Sequence, residues 1–133
     1  MDGWQTQVVG ETAAEPRTNW PLTILLPAYN EALAIERVLG EIIEALADEN
    51  LRYEILVVDD ASTDGTAELA EEFARHCWQC VVRVIRSPER RGAGAARKLG
   101  IRHARGEIVV MLDADGTYPA RSIAELLRWF PAY

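Results

Sequence analysis

Two aspartates one residue apart, Asp113 and Asp115, directly follow an apolar run in "IVVMLDADGTYP" (108–119). Carboxylates so spaced on a turn can both face a hard divalent cation, directly or through water. Mg2+ and Mn2+ favour oxygen ligands and share their shell with phosphates. Two other apolar runs also end in polar clusters, "PAYNE" (27–31) and "DDASTDGT" (59–66). One such cluster could be turn chemistry alone, because Asp, Asn, Gly and Ser favour turns for local reasons. Three clusters at three strand exits point to a shared ligand. A further anion device is "RRGAGAARKLG" (90–100). Gly92 and Gly94 let backbone N–H groups approach a ligand at a helix start, and Arg97 and Lys98 add full charges. The segment lacks the Gly-Lys-Ser/Thr of a Walker A loop and the third glycine of a dinucleotide fingerprint. Its structural alternative is a small-residue helix packed closely on a sheet.

The elements that must position these residues are legible from periodicity. Apolar, β-branched runs at 22–27, 53–60, 81–86 and 107–113 read as strands. Ile35, Val38, Leu39, Ile42, Ile43 and Leu46 form a helical stripe, with Asn30 as its expected N-cap. Ala67, Ala70, Phe73, Ala74 and Cys77 form a second. The third helix is Ala-rich, with Gly106 as its expected stop. A last helix is expected over 119–130, with Ile123, Leu126, Leu127 and Phe130 on one face. Strands alternating with helices make an α/β chain with a parallel nucleotide-binding sheet and helices on both faces. The continuous apolar character of strands one, two and four suits central positions, whereas Arg83 and Arg86 suggest an edge for strand three. In such sheets ligands bind outside the carboxyl ends of the strands.

A net charge of −7 argues against non-specific binding to nucleic acid. An anionic ligand therefore needs a cation or a local Arg cluster. No apolar run is long enough for a transmembrane helix. Residues 1–20 lack the basic start and apolar middle of a signal peptide and read as a flexible leader before a domain at 21–133. Cys77 and Cys80 in "CWQC" follow a helix instead of opening one, and read as two reduced cysteines of a cytoplasmic protein.

Taken together, "ILLPAYNEA", "ILVVDDASTDGT", "RGAGAARKLGI" and "GEIVVMLDADGTYP" resemble, in that order, the family-2 glycosyltransferases of the GT-A fold. Among these the chain is most similar to the polyprenyl-phosphate (dolichol-phosphate) sugar synthases. The resemblance implies a donor half with strand order 3-2-1-4. It implies that Pro27, Tyr29 and Glu31 line the pocket for the base and ribose of a nucleoside diphosphate sugar. Asp60 would hydrogen-bond the base edge, and Arg97 would lie near the diphosphate with Arg90, Arg91 and Lys98. Asp113 and Asp115 match the metal-binding D-x-D, with Asp115 the preferred direct ligand. Thr117 stands where many relatives carry a Gln that joins the metal shell.

The implied reaction is metal-assisted, inverting sugar transfer to an acceptor such as polyprenyl phosphate, at the cytoplasmic face of a membrane. Relatives continue into an acceptor-binding half, so these residues are expected to bind the donor without transferring it. Asp64 and Glu125 are candidate bases only by elimination. The apolar face of the closing helix implies self-association or a completing partner chain. The alternative is a nucleotide-sugar-binding fragment or pseudoenzyme without transfer activity of its own.

Overall fold

A computed structural model describes residues 20–129. Four strands and four helices alternate: β1 (Trp20–Ala28), α1 (Ile35–Leu46), β2 (Tyr53–Asp59), α2 (Thr66–His76), β3 (Val81–Arg86), α3 (Ala93–His103), β4 (Gly106–Met111) and α4 (Ser122–Leu127). All neighbouring strands are parallel, in the order β3-β2-β1-β4. The order and architecture are those expected. Residues 1–19 of the expected leader and Phe130 lie outside the described residues, while Trp20 opens β1.

Alternation along the strands divides the core. Leu22, Ile24 and Leu26 of β1 and Ile55 and Val57 of β2 join Ile35, Leu39, Ile42 and Ile123 on one face. Leu25, Leu56, Val58 and Ile85 meet Ala96 and Leu99 of α3 on the other. Burying each large side chain contributes about 1.5–3 kcal/mol. The α3 segment is therefore a small-residue helix lying tight on the sheet: a Cβ on Gly100 would sit 2.2 Å from a methyl of Leu25.

Several local expectations are corrected. β4 is an edge strand and not a central one. Among the described residues its outer edge has no strand partner, and Met111 is 47% exposed. β3 is an edge strand, but its arginines are not a solvent face. Arg83 is buried and donates through Nε to Glu54 at 2.8 Å, while Arg86 is paired with Glu68 and Glu71 of α2. Asn30 does not cap α1. It adopts a left-handed conformation (φ 52°), and Ala34 occupies the cap position without a side-chain bond. Gly106 does not stop α3, which ends at Ala104; it opens β4, where a Cβ would lie 2.4 Å from the backbone N of Thr23. α4 is one short element, burying Ile123 and Leu127 in the core and leaving Leu126 exposed.

The carboxylate of Glu54 is fully buried in β2. It accepts from Thr23 Oγ1 at 2.6 Å, Arg83 Nε at 2.8 Å and the backbone N of Arg105 at 2.7 Å. Glu54→Gln removes the charge that compensates Arg83 and should cost about 3–5 kcal/mol in urea unfolding. Glu44→Gln, on the exposed face of α1, should stay within about 0.5 kcal/mol of wild type.

The two substitutions Gly106→Ala and Gly94→Ala should separate in the same assay. The first drives a methyl into the β1 backbone and should unfold or severely destabilise the chain. The second meets nothing within 4 Å and should be neutral or stabilising by up to about 1 kcal/mol.

Candidate functional site

The exits of β1, β2 and β4 lie along one edge of the sheet because adjacent parallel strands are in register: Ala28 opposes Asp59, and Leu25 opposes Met111. Each exit loop is fixed by its neighbour. The backbone N of Asn30 donates to Ser62 Oγ at 2.8 Å, and its Oδ1 accepts from the Thr63 N–H at 2.8 Å. Glu31 N donates to Thr66 Oγ1 at 2.8 Å and Ala32 N to Asp64 Oδ2 at 3.0 Å. Asp64 Oδ1 accepts from the Thr66 N–H at 3.0 Å and from its hydroxyl. Its slight burial opposes ionisation, but the bonds from Thr66 and Ala32 outweigh it and hold the carboxyl below its ordinary value. Asp64 is thus a clasp between loops.

Asp59 and Asp60 divide their work. Asp59 turns back to Ser62, accepting from its N–H at 3.1 Å and its hydroxyl at 2.5 Å. Burial raises its carboxyl despite these bonds. Asp60, also buried, accepts from the N–H groups of Arg91 and Gly92, each at 2.8 Å, one on each oxygen. The Gly92 amide, expected to face a ligand anion, therefore faces a carboxylate of the protein itself. Gly94 remains open on the first turn of α3.

That clamp fixes the segment carrying Arg90, whose guanidinium carbon lies 3.5 Å from the ring centroid of Tyr29. Sequence reasoning grouped Arg90 and Arg91 with the diphosphate cations. The structure puts Arg90 on the aromatic face, and Arg91 Nη2 lies 3.1 Å from Glu89.

Pro27, Arg97 and Asp113, read from separate motifs, line one cleft of about 520 Å3 with Met111, Tyr118 and Leu126. At the β4 exit, Asp113 and Asp115 are exposed with Ala114 buried between them. The i, i+2 spacing thus puts both carboxylates on the solvent side of the turn. Asp115 Oδ1 accepts from the Thr117 N–H at 2.9 Å and its hydroxyl at 2.8 Å, and these bonds lower its carboxyl, keeping it ionised. Thr117 thus orients an aspartate. Gly116 needs a positive φ (76°), and a Cβ there would lie 2.4 Å from the guanidinium of Arg37. Arg37, on α1, gave no sequence signal for this contact.

Glu31 reports the field of this edge. Partial burial raises its carboxyl first, and Asp115, Asp64 and Asp113 raise it further. Among the described residues no three His, Cys, Asp or Glu side chains converge to hold a metal by themselves. No helix of the described residues is long and apolar enough to cross a membrane.

The family model described as Glycosyl transferase family 2 matches residues 23–133. A dolichyl-phosphate beta-glucosyltransferase of Trichomonas vaginalis is 39% identical over 109 residues, 78% of this chain and 32% of that protein. A dolichol-phosphate mannosyltransferase of Pyrococcus furiosus is 36% identical over 107 residues, 80% of this chain and 29% of that protein. Among solved structures, a mannosyltransferase from Pyrobaculum calidifontis in complex with GDP-Man and Mn2+ superposes with a TM-score of 0.73. It is 35% identical, covering 95% of this chain and 35% of that one. This chain thus spans about a third of the length of the proteins it matches.

The Asp60 clamp predicts a local effect. Asp60→Asn turns one acceptor into a donor facing an N–H group and should cost about 1.5–3 kcal/mol. Hydrogen exchange at Arg91 and Gly92 should accelerate, while amides within β2 keep their protection. Unchanged exchange at both positions would remove the clamp from the account.

Proposed function

The chain belongs to glycosyl transferase family 2, and from that premise we propose that its strand-exit edge binds a nucleoside diphosphate sugar through Mg2+ or Mn2+ for transfer to a polyprenyl phosphate. The observation that carries the reading is the charge arrangement. Asp115, Asp64 and Asp113 all lie close enough to Glu31 to raise its carboxyl, beside a cleft whose lining offers one cation, Arg97. A diphosphate entering that field requires a positive bridge.

The donor set fits a hard cation: two exposed carboxylates on one turn, Asp115 held ionised by Thr117. Bound by Asp113 and Asp115, such an ion supplies neutralisation of the charge that grows on a leaving diphosphate. Arg97 meets a phosphoryl oxygen from the α3 wall of the cleft. Tyr29 and Arg90 offer a cation–aromatic platform for the base, and Glu31 and Pro27 close the nucleoside side. Asp60 holds the loop that carries Arg90 in place.

Two of the matched relatives are named for dolichyl or dolichol phosphate. A phosphate acceptor suits a site in which Asp64 is already committed to backbone bonds. A monoester oxygen is anionic near neutral pH, its second pKa being about 6, and its attack needs no general base. A single displacement inverts the anomeric carbon. The whole enzyme would act at the cytoplasmic face of a membrane, and exposed Met111, Leu126 and Trp129 are apolar surface for a completing segment or partner. Residues 1–133 alone would bind donor without transferring it, because the cation and arginines of this edge are all engaged on the donor side.

Calorimetry with UDP-glucose and GDP-mannose tests the reading. Weak binding is expected with Mn2+ or Mg2+ and none with chelator. Asp115→Asn should weaken it by roughly tenfold or more, about 1.4 kcal/mol, whereas Glu125→Gln should change nothing. Equal affinity with and without chelator would refute the cation bridge. Transfer to polyprenyl phosphate by the isolated chain, above an Asp115→Asn control, would refute the division of labour.

A further inference from the structure

The CWQC turn between α2 and β3 takes no part in the donor site, yet it brings two sulfurs together. Cys77 Sγ and Cys80 Sγ lie 3.8 Å apart, and neither is in a disulfide. We propose that Cys77 and Cys80 form a reversible dithiol–disulfide site that exchanges with small-molecule disulfides. The pair does not open a helix, as the C-x-x-C of a redox helix would, but the geometry adds proximity and an order of events.

Cys77 lines a cleft of about 800 Å3 between α1 and α2, with Leu69, Phe73 and Trp78 among its walls. A small disulfide can reach it from there. Cys80 is not among the residues of that wall. Burial pushes its thiol up to about 12, the neighbouring Cys77 sulfur adds to the rise, and a hydrogen bond from Tyr53 opposes it. Cys77 is therefore the attacking group and Cys80 the resolving one, since the thiolate is the reactive form.

The steps balance. The Cys77 thiolate attacks one sulfur of R–S–S–R, forming Cys77–S–S–R and expelling RS−. The charge on Cys77 disappears in that mixed disulfide, and with it one contribution that raises Cys80. Cys80 gives its proton to solvent and attacks Cys77 Sγ, forming the internal bond and expelling the second RS−. Two protein thiols are oxidised, one small disulfide is reduced, and the two protons lost by the protein protonate the two RS− groups. Closure brings the sulfurs from 3.8 Å to about 2 Å. It draws in the turn that carries Trp78, which is 85% exposed.

The test is incubation of the reduced chain in glutathione buffers of graded oxidised-to-reduced ratio, followed by acid quench and mass spectrometry. Expected is a species lighter by two hydrogens, with residues 77 and 80 cross-linked, restored by excess reduced glutathione. Cys80→Ser should stop at a persistent glutathione adduct on Cys77, and Cys77→Ser should gain adduct more slowly and form no internal bond. Adjacency in the chain alone would let an unfolded peptide close the same ring, so the titration is repeated in unfolding urea. The folded chain should favour the disulfide by roughly tenfold or more over the unfolded one. An equal or lower preference when folded, separate adducts on both cysteines, or dimers alone would each overturn the proposal. The wild-type comparison stands even if a variant fails to fold.

Discussion

Every strand of this sheet answers to the carboxylate of Glu54. A charge with no exposure to water is tolerable only if it is paired and its lone pairs are filled. Here the filling groups come from β1, β3 and the segment that joins α3 to β4: Thr23, Arg83 and the Arg105 amide. Thr23 in turn accepts from the Gly106 N–H at 2.9 Å, and Arg83 also reaches the carbonyl of His103. One buried anion therefore ties all four strands at their amino ends. A slip of one residue in any of them would send these groups to the opposite face and strand the charge.

Fixing the register at one end fixes the exits at the other. Asp59, Ala28 and the β4 exit fall along one edge because the ladders are continuous from the anchored end. The exit loops then make a second layer of constraint. Asn30 and Ala61 both adopt left-handed conformations, at φ 52° and 59°. For Ala61, which has neither glycine's freedom nor a short polar side chain, that costs about 1–2 kcal/mol. The turn it makes sends Asp59 back to Ser62 while Asp60 holds the Arg91 and Gly92 amides. Charge-assisted bonds of this kind contribute enough to offset the strain.

The same edge gathers negative charge that does nothing for the fold. Asp59, Asp60 and Asp64 accept hydrogen bonds within and between the exit loops, while partial burial first, and then the charges of Asp115, Asp64 and Asp113, raise the Glu31 carboxyl.

The sequence alone determined the α/β alternation and the identity of the polar exits, because hydrophobic period and turn chemistry are local properties of the chain; the strand order came only through the family resemblance. It also showed Asp113 and Asp115 as a pair, since an i, i+2 spacing on a turn is visible without coordinates. Tertiary structure decided which polar groups are spent on the protein itself. Asp60 and Asp64 each hold a second segment of the chain, because the backbone N–H groups that reach them come from about thirty residues away. Arg83 marks β3 as an edge strand in the sequence, yet it is buried, because it pairs with Glu54, which lies diagonally across on β2, two residues before its ladder partner Leu56. β4 looked central from its composition and lies at an edge, since an apolar run records what a strand can bury but not what sits beside it. Arg90 over Tyr29 and Arg37 against Gly116 left no trace in the sequence. Pairings between distant segments follow from the path of the backbone through space, and no local pattern encodes them.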